Sequence, residues 1–156
     1  MRPDGSTIIG DIEDAIVATL KTRMASTAAI APFPADPRNF DAANEKLAVL
    51  VHFSEGAYGR SDRNDGSSQS RVLTFTVILV VRELGQTAAG AYCHVEAVRQ
   101  ALQFQRFAGS DPARMVSERL VGEAAGRWEW HVRVAVPVTA VAATLRPAVT
   151  NPREAV

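Results

Sequence analysis

The feature that most constrains this chain is the stretch Arg71 to Glu83, in which apolar side chains occupy both phases of a period-two alternation. Leu73, Phe75, Val77, Leu79 and Val81 make one face; Val72, Ile78 and Val80 lie on the other, where Thr74 and Thr76 are the only polar members between Arg71 and Arg82. A strand that is apolar on both sides needs cover on both sides. Helices are expected over the first face. For the second, another subunit is the expected cover, which makes Val72, Ile78 and Val80 the candidate subunit interface.

Two helices are legible. Ile9, Ile12, Ile16 and Leu20 recur at steps of three and four, so they share one face of a helix from the N-cap Thr7 to about Arg23. Asp11, Glu13 and Asp14 fall near its start and Lys21 and Arg23 at its end, the charge order that suits the macrodipole. Ala91, Val95, Val98 and Leu102 mark a second helix over about Thr87 to Phe104. Between Ala25 and Lys46 periodicity is lost and Pro32, Pro34 and Pro37 appear, so an extended connection is expected, pinned to the core by Phe33 and Phe40. Leu47 to Phe53 alternates as a strand, Met115 to Glu123 reads as a short one, and Gly122 to Gly126 as a turn. From Arg127, Trp128, Trp130, Val132, Val134, Val136 and Val138 face one way, with Arg127, Glu129, His131 and Arg133 opposite. Pro137, which donates nothing to a ladder, belongs at an edge or strand end.

The fold class expected from this order is α+β: a mainly antiparallel sheet of about four strands with two helices packed on one face. Residues 1–145 are expected to be one domain, and 146–156, with Pro147 and Pro152, an extended or disordered C-terminal arm. The stretch 54–70 (SEGAYGRSDRNDGSSQS) is longer than an ordinary hairpin loop and reads as a long flexible one. Its Tyr58, Arg60, Asp62, Arg63 and Asp65 would present a partner-binding surface that orders on contact.

Composition excludes several functions. Lys+Arg number 17 and Asp+Glu 17 in 156 residues, for a formal charge of zero. No basic nucleic-acid footprint is present, and no nucleic-acid sequence recognition is expected. A 47% hydrophobic and 22% charged chain is that of a globular protein, and its apolar content is generous enough to include a subunit interface. The lone Cys93 makes no internal disulfide, and with three scattered histidines it forms no zinc-ligand spacing, so a reducing environment and no metal are expected. No apolar run is long enough to span a membrane, and the N-terminus lacks the order of a signal peptide.

Catalytic constellations are missing as well. Gly85 and Gly90 are spaced as in a phosphate loop, but no Lys-Ser/Thr follows, and there is no GxSxG elbow. Cys93 and His94, adjacent on a helix, point about 100° apart. His131 shares a strand face with Glu129 and Arg133, an arrangement typical of a solvated sheet. The expectation is no enzyme, no cofactor and no catalytic residue, with His131 and Glu129 the alternative site of a small ligand-binding or enzymatic domain.

Ile9-Gly-Asp-Ile-Glu-Asp-Ala-Ile-Val17, the Pro-rich connection, Ala48-Val-Leu-Val51, Arg82-Glu-Leu-Gly85, Gly90-Ala-Tyr92, Val98-Arg-Gln-Ala-Leu102 and Trp128-Glu-Trp130 together resemble the Mu-like phage family of tail terminator, or tail-completion, proteins. The resemblance covers about Ile8 to Val138. It implies a virion structural protein at the tail end or neck, assembled in the host cytoplasm. Such a subunit forms a homo-hexameric ring on the tail tube protein, stops tube polymerisation and offers a surface to a head–tail connector or neck protein, with a tail sheath protein as a further candidate partner. A neck or head-completion protein is the runner-up.

Overall fold

The computed structural model describes residues 5–24, 28–36, 45–61, 64 and 66–141. The expected C-terminal arm 146–156, the pinning residue Phe40 and the loop residues Asp62, Arg63 and Asp65 lie outside them.

Helix α1 runs Ile8–Arg23. The Thr7 hydroxyl accepts from the Gly10 amide at 3.1 Å, an N-cap bond that contributes about 1 kcal/mol. Ile12, Ile16 and Leu20 are wholly buried on its inner face. Strand β1 (Ala29–Pro32) follows, in the segment expected to be a mere connection. It is short enough, and ends on its proline early enough, to sit at the edge of the sheet, where a missing donor costs no ladder bond. β1 pairs parallel with β2 (Leu47–Ser61), from Ala29 opposite Ala48 to Pro32 opposite Val51. Phe33 extends the contact by donating to Val51 O at 2.7 Å.

β3 (Ser68–Val81) pairs antiparallel with β2 and, on its other side, with β5 (Arg127–Val141). Helix α2 (Ala91–Leu102) crosses from β3 to β4 (Arg114–Ala124), which pairs with β5. The sheet order is β1-β2-β3-β5-β4: the fold is α+β and the sheet mainly antiparallel, as expected, with the parallel β1 making a fifth strand among the described residues. Both helices pack on one face. That face carries the core: Ile12, Ile16, Leu20, Val98 and Leu102 meet Val49, Val51, Leu73, Phe75, Val77, Leu79, Val132, Val134 and Val136. Burial of each such side chain stabilises by roughly 1.5–3 kcal/mol.

The second helix is shorter at both ends than its apolar spacing predicts. Thr87 to Ala89 form a turn closed by Gly90 N donating to Thr87 O at 2.8 Å. A Cβ at Gly90 would collide with the Gly85 carbonyl, so the chain passes there only as glycine. At the other end Phe104 takes φ 63°, which stops the helix. The β4–β5 turn is the pair Ala125 and Gly126, both with positive φ (53° and 76°), as a two-residue hairpin demands. Pro137 lies beyond Ala135, the partner of Arg114 at the start of β4, so its missing N–H faces no β4 residue, while its carbonyl accepts from Asp111 N at 3.0 Å.

The stretch 54–70 is the largest departure from expectation. It is strand over Ser54–Ser61 and again from Ser68, leaving only a short connection between. Backbone pairing satisfies its polar groups despite a composition of Gly, Ser and charged residues. Side chains add to it: Ser54 Oγ donates to Thr74 O at 2.9 Å, Ser61 Oγ to Ser68 O at 2.7 Å, and Gln69 Nε2 to Gly59 O at 2.7 Å. The result is an arm, made by β2, β3 and the end of β5, that carries the sheet past its core.

Candidate functional site

The face of the sheet turned away from the helices is the first candidate surface. The register sets its rows: Ala31, Leu50, Ile78, His131 and Arg119 across the middle, and His52, Thr76, Arg133 and Ser117 beside them. Ala48, Leu50 and Ile78 are buried there without belonging to the helix-side core. Ile78 is only 8% exposed, which corrects its expected exposure in a lone subunit. Its Cα neighbours Leu50 and His131 stand on either side, and cross-strand neighbours on one face shield one another. Val72 and Val80 are half-buried. Thr74 and Thr76, each 5% exposed, complete the central strip.

Around that strip the face is charged. Arg133 Nη2 lies 3.1 Å from Glu55 Oε1 across β3, and His131 Nε2 lies 2.7 Å from Glu129 Oε1. Both pairs are part-exposed, where an ion pair contributes about 0–1 kcal/mol. The His131–Glu129 neighbourhood expected from the alternation is therefore formed. It stands on a sheet face with water access, which suits recognition or solubility better than acid–base chemistry. Phe33 meets His52 edge-on at 5.8 Å between ring centroids, on this side of the sheet rather than in the main core.

Arm residues form the second surface. Tyr58 is 60% exposed with the Arg71 guanidinium 5.2 Å from its ring centroid, a cation–π contact that holds the tyrosine against the arm. Arg60 is exposed near the end of β2. Of the expected partner-binding residues, these two are thus placed on a strand rather than a mobile loop.

The third surface lies on the outer strand β4, which the sequence predicts over Met115 to Glu123 but without the exposed apolar residues it carries. Val116, Leu120 and Val121 are 51%, 39% and 51% exposed there, and register shifts fall beside Val116 and Val121. Next to Leu120, its register partner Trp130 stacks edge-on with the exposed Tyr92 at 6.1 Å. The signal was present as apolar residues that break alternation between Met115 and Val121, the pattern that β-bulges produce.

At the opposite end of the molecule a cleft of about 490 Å³ is lined by Lys46, Leu47, Arg82, Glu83, Ala88, Ala89 and His94. Glu83 accepts from Thr87 Oγ1 at 2.9 Å. His94 faces this cleft while Cys93 is exposed with Sγ 4.0 Å from Gln86 O, so the two do not form a nucleophile–base pair. Among the described residues no group of three His, Cys, Asp or Glu is placed to hold a metal ion, and no helix is long and apolar enough to cross a membrane.

Near the start of α1, Glu13 is half-buried. Burial raises its carboxyl pKa, and a hydrogen bond from the Phe53 backbone offsets part of that rise. A folded-state pKa above the unfolded value means the native state binds the proton more tightly, so this group's contribution to stability falls as pH rises through that interval. Glu13→Gln is therefore expected to unfold at an equal or slightly higher temperature than wild type at neutral pH. The difference closes as pH falls below the carboxylate range; calorimetry across pH checks it.

With this geometry in hand, comparisons with known proteins add two findings. A family model described as Gp37 protein matches residues 16–152. The fold is similar to that of a chain in the solved virion of a native gene transfer agent particle: TM-score 0.55, 13% identity, 86% of this chain and 100% of that chain covered. Comparison with curated proteins finds no match.

Proposed function

This chain belongs to the Gp37 protein family, and we propose that it is a structural protein of a phage-like virion that acts as a tail terminator. It forms a ring on the end of the tail tube, halts tube growth and presents a surface for the head connector or neck protein. The observation that carries this reading is the likeness in fold, over nearly all of both chains, to a chain of a gene transfer agent virion. The molecule's surfaces support it. A two-layer domain leaves one sheet face uncovered by helices, and a projecting arm gives reach toward a second ring. Mixed charge on that face, Arg133 with Glu55 and Glu129 with His131, favours specific protein partners over nucleic acid. Half-buried Val72 and Val80 are the interface candidates retained, while Ile78 supports the sheet from within.

Particles made with and without the chain test the reading. Expected is a single ring located at the head-proximal end of the tail tube in wild-type particles. Tails of uncontrolled length without joined heads are expected in its absence. A ring located on the capsid side of the connector, with tails of normal length in its absence, makes the chain a head-completion protein instead.

A further inference from the structure

We infer that the outer edge of β4 in one copy pairs antiparallel with the outer edge of the β2 arm, Ser54–Arg60, of a second copy. The inference rests on the ring reading above and names the contact that closes it.

Among the described residues the five-stranded sheet leaves backbone unpaired on the outer side of β1, on β5 beyond Ala135, and on two stretches that lie on opposite sides of the sheet. One is the outer side of β4, eleven residues long. The other is β2 over Ser54–Arg60, because β1 pairs only as far as Pro32 and the Phe33 amide takes Val51 O. Unpaired N–H and C=O rows are templates for another strand, and natural proteins blunt them with charged side chains, lysine above all, with proline, with bulges or by keeping the strand very short. β1 is blunted by length, being four residues ending in proline. β4 has charged residues and two irregularities that guard it against indiscriminate pairing, but it is eleven residues long, contains neither lysine nor proline, and its irregularities carry exposed valines, Val116 and Val121. Because the two free edges differ, their pairing is heterologous, the head-to-tail type that generates rings when the rotation closes.

Side chains select a register. Tyr58 lies in the row of Arg71 and Val138, and Leu120 in the row of Trp130; both rows are on the helix side of the sheet. Setting Tyr58 beside Leu120 joins exposed Tyr58 to the apolar group of Leu120, Trp130 and Tyr92, and an antiparallel run then places Arg60 opposite Glu118. Apolar and charge complementarity agree in this one register.

The test uses full-length chains carrying Cys93→Ser, one with Tyr58→Cys and one with Leu120→Cys. Mild oxidation is expected to give a disulfide-linked heterodimer in the mixture and none from either chain alone. Leu120→Lys, at a part-exposed site, is expected to weaken assembly at least tenfold by mass photometry while leaving far-UV circular dichroism unchanged. Wild-type rings that form without the 58–120 cross-link and survive Leu120→Lys overturn the edge pairing and leave the ring reading intact. A wild-type chain that stays monomeric at high micromolar protein, and is absent from tails as a ring, overturns both.

Discussion

Phe75→Ala is expected to destabilise the domain by about 3–5 kcal/mol in urea unfolding, the largest effect of any single truncation considered. Phe75 is wholly buried on the central strand β3, with Phe53 opposite on β2 and Val134 opposite on β5. Its ring meets Phe53 edge-on at 5.7 Å between centroids, a contact worth about 0.5–1.5 kcal/mol beyond the area buried. Neighbours on two flanking strands are hydrogen-bonded in place, so the cavity has little room to collapse. Against a total of about 5–15 kcal/mol for domains in general, such a loss removes a large share of the stability. A measured cost under about 1 kcal/mol would mean that the sheet slides to refill the space, and the rigid picture of the core would be wrong.

The largest functional effect is expected from shortening the arm. Deleting Ala57 to Ser67 joins Gly56 to Ser68, and since Gly56 stands opposite Leu73, Ser68–Val72 then serve as the hairpin loop. The wholly buried residues lie outside the deleted stretch, so the thermal midpoint is expected to move by only a few degrees. Joining of tails to heads is expected to fail, with heads and tails accumulating separately in electron micrographs. Normal yields of infectious particles from the deletion would show that the arm has no part in joining.

What the sequence made legible follows the strength of local patterns. The α1 stripe and its Thr7 cap identify both ends of that helix, because capping and periodicity agree at Ile8 and Arg23. The alternation from Trp128 to Val138 gave β5 its two faces correctly, since one face is core and the other is charged. Where the reading went astray, tertiary pairing outweighed composition. Ser54–Ser61 has few strand-favouring residues, yet β3 supplies a ladder along its length. Ala29–Pro32 carries no alternation at all, and only the neighbouring β2 edge makes it a strand. The candidate surfaces were half visible. Tyr58 and Arg60 were singled out for their place in an odd segment, whereas Val116, Leu120 and Val121 were passed over because bulges scramble the period by which a strand is recognised.

The strand order carries a consequence for how the molecule is made. β5 lies between β3 and β4 but is the last strand among the described residues, so the described sheet is completed from its middle. As synthesis proceeds, β1, β2 and β3 emerge first, and β3 holds an open side along Ser68–Val81 until Arg127–Val141 arrives. The β4–β5 hairpin, closed by a two-residue turn, forms on a timescale of about 1–10 μs once released. It then docks as a unit by the β5 side. Until that moment the most apolar strand of the protein is a ready template for the wrong neighbour. A nascent chain crowded among its own copies must therefore finish its last strand before it can safely meet them.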